Sequence, residues 1–163
     1  MAHKRFVFPS AVHLFLIREG RILLLRRFNT GYEDGNYSVV AGHLNGGEEV
    51  RAAAVREARE EVGITIAPED IQVVGVMHRN SEDERIDWFV TATRWTGEIV
   101  NAEPDKCDEL LWSAPDCLPR NMVPYVRRAI ENYARGIWFG SFGWGLPEAR
   151  SRRARNAKPF GLG

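Results

Sequence analysis

Residues 48–62 constrain the fold of this chain more than any other segment. They contain no glycine or proline, and their four alanines favour a helix. Glu57, Glu60 and Glu61 are spaced i, i+3 and i+4, so a helix brings their carboxylates onto one face. Gly63 can then end the helix in the left-handed conformation. The neighbouring helix face is apolar and consists of Ala54, Val55, Ala58 and Val62.

The acidic face has two explanations, solvation or a bound cation. Like charges at these spacings destabilise an isolated helix by about 0.2–0.5 kcal/mol per pair. The preceding stretch "AGHLNGGEE" contains three glycines, which let the backbone approach a ligand closely. Mg²⁺ is commonly held by a few carboxylates together with substrate phosphates. The combination of a glycine-containing loop and an acidic helix therefore favours a divalent-cation site.

The remaining pattern predicts a mixed α/β fold. "AVHLFLI" (11–17) and "RILLLRRF" (21–28) are predicted to form a hairpin. Further strands are predicted at 37–42, 71–78, 86–95 and 109–114. A second helix is predicted within 121–136, with Asn121 as its N-cap and Gly136 as its C-cap. These elements form one domain, residues 1–145, and the basic segment 146–163 is predicted to be a flexible tail.

Composition argues against several classes of function. Lys plus Arg and Asp plus Glu number 22 each, so no overall positive field attracts a nucleic acid polymer. No apolar run is long enough for a membrane span, and no signal peptide is recognisable. Cys107 and Cys117 form neither a disulfide framework nor a zinc pattern, which favours reduced thiols and a cytoplasmic location.

The spacing of the charged residues and glycines from residue 42 to residue 64 resembles the Nudix box, G-x5-E-x7-R-E-U-x-E-E-x-G-U, where U is a bulky aliphatic residue. The matching positions are Gly42, Glu48, Arg56, Glu57, Glu60, Glu61, Gly63 and Ile64, whereas Ala58 is smaller than usual. The flanking stretches "NTGYEDGNYSVVAGHLNGGE", "MHRNSEDERIDWF" and "EPDKC" look like a bacterial MutT-like subgroup of the family.

The resemblance implies an α/β/α sandwich whose catalytic motif is a loop–helix–loop. It also implies Mg²⁺-dependent hydrolysis, with Mn²⁺ as a substitute, of a nucleoside diphosphate linked to another group. Glu57, Glu60 and Glu61 would bind the metal together with the carbonyl of Ala41 or Gly42. Arg56 and Glu48 would complete the catalytic set by holding the carboxylates in place.

The expected reaction converts a small-molecule nucleotide, a nucleoside triphosphate, to its monophosphate and pyrophosphate. Two alternatives remain open at this stage. One is hydrolysis of a nucleotide sugar or a dinucleotide polyphosphate, and the other is a non-catalytic Nudix-fold sensor. An intact set of box carboxylates disfavours the sensor. As to oligomeric state, a homodimer is compatible with the sequence.

Residues outside the box are more ambiguous. The resemblance implies that one more carboxylate can come from a loop before a late strand. The segment "NAEPDKCDELLW" lies in that region, and the sequence leaves open whether a carboxylate from it joins the site or all are solvated loop charges. The candidates are Glu103, Asp105, Asp108 and Glu109. His43 and Arg79 are candidates for substrate phosphate, with a structural or surface role as the alternative. Trp88 and Phe89 alternate on a strand, so one belongs to the core and the other can stack on a nucleobase. The aromatic stretch "GIWFGSFGW" (136–144) either packs on the domain or covers the ligand.

Overall fold

The structure is a computed structural model that describes residues 3–145. The predicted tail at 146–163 lies outside the described residues. The described part contains two α-helices, α1 (Val50–Val62) and α2 (Pro124–Ala134), and a short 3₁₀ helix (Pro68–Asp70). Its strands are β1 (Ser10–Arg18), β2 (Arg21–Arg27), β3 (Tyr37–Ser38), β4 (Val40–His43), β5 (Gln72–Asn80), β6 (Glu84–Ala92), β7 (Cys107–Ser113) and β8 (Phe139–Phe142).

The strands form one mixed sheet around β1. The order is β3-β2-β1-β6-β5-β8, with β4 paired to β1 and β7 paired to β2. β1 runs parallel to β6 and β5 runs parallel to β8, whereas the other pairs are antiparallel. No helix within residues 3–145 is long and apolar enough to cross a membrane.

The two helices cover opposite faces of this sheet. Val12, Leu14 and Leu16 of β1 are buried against α1, whereas Phe15 between them is buried against α2. This alternation follows from the two-residue period of a strand. The arrangement is the α/β/α sandwich that the sequence predicts.

Three strand predictions require correction. The hairpin of β1 and β2 forms, but the two strands pair only through Ile17–Ile22 and Arg18–Arg21 before they diverge to other partners. The single strand predicted at 37–42 is two strands, because β3 pairs with β2 while β4 pairs with β1. The aromatic stretch near the end of the domain contains β8, a strand that the sequence did not predict.

Helix α1 begins two residues later than predicted and ends where expected. Glu49 is its N-cap, with a side chain that accepts a hydrogen bond from the backbone N–H of Arg51. This start leaves Glu48 in the preceding loop, where its carboxylate accepts from the N–H of Asn45 at 2.9 Å. Gly63 ends the helix with φ 73°, a left-handed conformation that side chains with a β-carbon rarely adopt.

The predicted N-cap of α2 is wrong. Val123 is the N-cap and Pro124 is the first helical residue, where a missing N–H costs no hydrogen bond. Asn121 instead donates its side-chain N–H to the carbonyl of Gly35 at 2.8 Å and joins α2 to the loop before β3. At the other end Arg135 is the C-cap, and Gly136 follows with φ 67°.

Candidate active site

The acidic side of α1 faces a cleft of about 420 Å³. Helix α1 contributes Glu57, Glu60 and Glu61 to one wall of this cleft. The other walls come from β4, from the end of β2 and from the segment that leads into β7. Loop, helix and sheet thus place all three predicted metal ligands in one cavity.

Close packing of α1 on β4 brings Glu57 against Gly42. A β-carbon at residue 42 would lie 1.9 Å from Oε1 of Glu57, so only glycine leaves room for this carboxylate. Glu57 is 8% exposed, and Glu61 accepts a hydrogen bond from the backbone N–H of Ala41. The backbone of β4 is therefore in direct contact with two of the three carboxylates.

Burial and mutual repulsion disfavour the charged forms of these carboxylates. Burial raises the pKa of Glu57; Arg56 opposes that rise, while Glu60 and Glu103 add to it. Burial also raises the pKa of Glu61 well above its usual value, and the charges of Glu57 and Glu103 raise it further. A divalent cation would reverse this repulsion, because it attracts every carboxylate in the cluster.

Arg56 connects the loop before α1 to the acidic cluster. Its guanidinium makes two hydrogen bonds to Glu48, at 2.7 and 3.1 Å, and a third to the carbonyl of His43 at 3.1 Å. It also contacts the carboxylates of Glu57 and Glu60. These hydrogen bonds lower the pKa of Glu48 and raise that of Arg56. Arg56 is therefore in contact with Glu48 and with two of the three carboxylates of the acidic face.

The chemistry of this cluster fits a hard divalent cation. Its donors are carboxylate and carbonyl oxygens, which Mg²⁺ prefers. Among residues 3–145, no three His, Cys, Asp or Glu side chains are arranged so that they could hold a metal ion as they stand. In this arrangement Arg56 contacts both Glu57 and Glu60.

The structure distinguishes among the four candidates for an additional carboxylate. Glu103 lines the cleft, and its charge raises the pKa of both Glu57 and Glu61. Asp108 and Glu109 instead form ion pairs with Arg26, at 2.7 and 2.9 Å. Asp105 is exposed and does not line the cleft.

Among the predicted substrate contacts, only His43 lies in the cleft. Its Nε2 is 3.2 Å from Nη1 of Arg85. Phe89 is buried in the core, where its ring packs against Phe15, so it cannot stack on a nucleobase. Trp88 is half-buried, and its indole N–H donates to Ser10 Oγ at 2.9 Å. It does not line the cleft.

Arg79 is not available to substrate, contrary to the prediction. It is 3% exposed and makes two hydrogen bonds to Asp87, which is fully buried. Its guanidinium also lies 3.9 Å from the centre of the Tyr125 ring. Arg79 is thus part of a buried ion pair on the α2 side of the sheet, and no local motif marks Asp87 on β6 as its partner.

Three basic residues of the cleft were missed in the sequence. Arg26, Arg27 and Lys106 line it, although the guanidinium of Arg26 is paired with Asp108 and Glu109. They meet because β2 pairs with β7, with Arg27 opposite Cys107 in the register. Lys106 forms an ion pair with Glu103 at 3.1 Å. No local motif marks these positions, since the sheet pairing that assembles them joins segments far apart in the sequence.

Comparison with known proteins identifies the family. Residues 7–133 match the model of the NUDIX domain. The chain belongs to the Nudix family. This Nudix domain is 33% identical over 111 residues to the NAD-capped RNA hydrolase NudC of Pseudomonas aeruginosa PAO1, a match that covers 68% of this chain and 37% of NudC. The chain therefore spans well under half the length of that relative.

Two further comparisons cover most of both proteins. The Nudix domain is 28% identical over 138 residues to the RNA pyrophosphohydrolase of Acidiphilium cryptum, which covers 72% of this chain and 82% of the relative. The crystal structure of a MutT Nudix hydrolase from Burkholderia pseudomallei superimposes with a TM-score of 0.69 at 28% identity. That match covers 76% of this chain and 95% of the other, and it confirms the predicted Nudix-type fold.

Proposed function

We propose that this Nudix domain hydrolyses a pyrophosphate bond in a nucleoside diphosphate derivative with the help of Mg²⁺, for which Mn²⁺ can substitute. The supporting observation is a single cleft lined by the carboxylates of Glu57, Glu60, Glu61 and Glu103 and by the basic residues Arg27 and Lys106. Carboxylates are suited to a divalent cation, and the basic residues are suited to phosphate. One cavity thus offers side chains suited to a divalent cation and side chains suited to a polyphosphate.

The residues of the chain have separate roles in this proposal. Glu57, Glu60, Glu61 and Glu103 would hold the metal, and the backbone of Gly42 would lie beside it. A bound Mg²⁺ ion orients phosphates, stabilises their developing negative charge and makes bound water more acidic.

The basic residues of the cleft would bind the phosphates. Arg27 is held by hydrogen bonds from its side chain to the carbonyl of Tyr32, at 2.7 Å, and to Thr30 Oγ1, at 3.0 Å. Lys106 is paired with Glu103, and metal binding to that carboxylate would release the ammonium group for phosphate. His43 at the end of β4 is positioned to contribute a further hydrogen bond.

The substrate we propose is a nucleoside triphosphate, with the monophosphate and pyrophosphate as products. Support comes from the likeness to a MutT hydrolase and from the zero net charge, which provides no overall attraction for a polymer. The 5′ end of an RNA is a second candidate, because two relatives are named as an NAD-capped RNA hydrolase and an RNA pyrophosphohydrolase. We also propose a cytoplasmic location, consistent with the free thiols of Cys107 and Cys117.

A substrate panel tests this function. Purified protein with Mg²⁺ is supplied with nucleoside triphosphates, nucleotide sugars, dinucleotide polyphosphates and an RNA with a 5′-triphosphate, and released pyrophosphate and phosphate are measured. We expect turnover of a nucleoside triphosphate to pyrophosphate, its loss in excess chelator and its return with Mg²⁺ or Mn²⁺. Turnover of only the RNA, or of only a sugar or dinucleotide compound, would replace the proposed substrate. Turnover of nothing would favour a ligand sensor.

Matched variants link that activity to the cleft. Glu61→Gln removes one negative charge from the cluster, and a lost electrostatic group of this kind lowers kcat by about 10²–10³. Arg59→Gln changes an exposed residue of the same helix outside the cleft and should be nearly silent. Equal effects of the two substitutions would contradict the assignment of the acidic face.

A further inference from the structure

The edge of the sheet farthest from β3 exposes several aromatic side chains. We call Phe6, Phe8, Trp138, Phe139 and Trp144 the edge patch; their exposures are 70%, 39%, 56%, 50% and 36%. Three belong to the stretch around β8, and the other two precede β1. Within residues 3–145, β8 is the last strand on this side, so its outer backbone groups have no neighbouring strand.

Ring contacts and one close backbone approach hold most of this patch together. The rings of Phe6 and Phe8 are 5.4 Å apart, and Phe8 stacks on His78 at 6.2 Å. His78 also contacts the ring of Trp144 at 4.7 Å, and the indole N–H of Trp144 donates to the His78 carbonyl at 3.0 Å. Gly143 has φ 80°, and a β-carbon there would lie 1.8 Å from the Asn80 carbonyl oxygen.

The edge patch is large enough to form most of the apolar part of a dimer interface. At about 200 Å² for a fully exposed aromatic residue, the five side chains offer on the order of 500 Å² of surface. That is near the upper end of patches found on monomeric proteins, about 300–600 Å². A stable interface buries about 800 Å² per partner, of which about 65% is apolar in homodimers. The edge patch can supply nearly all of that apolar share.

We propose that the edge patch is the interface of a homodimer. Two copies bring their edge patches together about a two-fold axis, so that each covers the same surface of the other. A second copy fits better than the chain's own residues 146–163, because that segment has five basic residues and only one aromatic residue, Phe160. None of the five aromatic residues lines the catalytic cleft, so the dimer is independent of the proposed reaction.

Light scattering during size-exclusion chromatography, at about 1–100 µM full-length protein, tests the dimer. We expect a mass twice the 18.5 kDa of one chain. Phe139→Glu should raise the dissociation constant at least about tenfold or give the single-chain mass, since it buries an unpaired charge. Val100→Glu is the control, because Val100 is 51% exposed outside the edge patch. Circular dichroism verifies folding, and Phe6→Ser replaces Phe139→Glu if the latter does not fold.

Three results would overturn the proposal. The first is a single-chain mass at every concentration. The second is a dimer that neither Phe139→Glu nor Phe6→Ser weakens more than Val100→Glu does. The third is loss of the dimer in a full-length Phe160→Ser variant, which would assign the contact to the segment 146–163 instead.

Discussion

Gly42 and Glu57 are in such close contact that a β-carbon on residue 42 would lie 1.9 Å from the Glu57 carboxylate. This contact joins the backbone of β4 to a buried carboxylate of the acidic cluster. The displaced group would be the end of a flexible side chain, which can rotate away. A substitution at residue 42 should therefore disturb the site more than the fold.

Gly42→Ala is accordingly expected to lower kcat strongly with little change in melting temperature. Displacing one preorganised electrostatic group should reduce kcat by about 10²–10³. Gly46→Ala is the matched control, since a β-carbon at residue 46 meets nothing within 4 Å and this glycine has no positive φ. Steady-state kinetics and thermal unfolding of both variants provide the measurement. Equal activity of the two variants would show that the position of the Glu57 carboxylate does not matter.

Glu103 is expected to be the additional carboxylate that the sequence could not select. Glu103→Gln should lower kcat and raise the Mg²⁺ concentration for half-maximal rate, because a negative group is lost from the cleft. Asp105→Asn, two residues away and exposed, should change neither value appreciably. Mg²⁺ titrations of the activity of both variants decide the point, and a larger effect of Asp105→Asn would reverse the assignment.

Arg56 should act by orienting the carboxylates of the acidic cluster. A positive charge at this position should therefore not be enough for full activity. Its guanidinium makes two hydrogen bonds to Glu48 and also reaches the His43 carbonyl. Lysine keeps the charge but cannot make this fork of bonds. Arg56→Lys is therefore expected to lower the affinity for Mg²⁺ or the activity by about 10–100-fold, as for other residues that orient metal ligands. Arg59→Lys on the exposed side is the control, and Mg²⁺ titration of activity is the readout.

The sequence was most informative where function depends on local spacing. Because i, i+3 and i+4 positions share a helix face, the arrangement of Glu57, Glu60 and Glu61 followed from the chain alone. Gly63 likewise marked the end of α1, because a left-handed cap favours glycine. The loop, helix and cap of the box were thus predictable without tertiary information.

What the sequence could not supply depends on contacts between distant segments. Arg79 carried a charge typical of a phosphate ligand, but its orientation towards Asp87 depends on the pairing of β5 with β6. Glu103 resembles Asp105 and Asp108 in chemistry, and only the path of the loop before β7 separates them. The division of 37–42 into β3 and β4 has the same origin, since their different partners are remote in sequence.

The buried pair of Arg79 and Asp87 should support stability. Asp87→Asn leaves the Arg79 charge buried without its partner, at a cost of about 3–5 kcal/mol in the free energy of unfolding. The control is Asp83→Asn, which breaks the exposed ion pair between Asp83 and Arg85. This change should lower the free energy of unfolding by less than about 1 kcal/mol. Urea unfolding of both variants at neutral pH gives the comparison. Similar costs of the two substitutions would show that the buried ion pair contributes no more to stability than the exposed one.

His13 should make the stability of the domain depend on pH. It is buried on the α2 side of the sheet, where Nε2 is 3.0 Å from the Tyr125 hydroxyl and 3.9 Å from Asp87. Burial lowers the pKa of His13 to about 4 from its usual 6.5; Asp87 opposes this shift, and the charges of Arg79 and Arg85 add to it. In the unfolded chain His13 therefore binds a proton below about pH 6.5, whereas in the folded protein it binds one only near pH 4 and below.

Stability should thus be greatest above about pH 6.5 and decline as the pH falls towards 4. A shift of this size corresponds to about 3 kcal/mol when fully expressed. His13→Gln cannot titrate, so its free energy of unfolding should fall less than that of the wild type between about pH 7 and pH 4.5. Urea unfolding at both pH values measures the difference, and all other titrating groups are common to the two proteins. If the two pH profiles were parallel, His13 would not be the group that resists protonation.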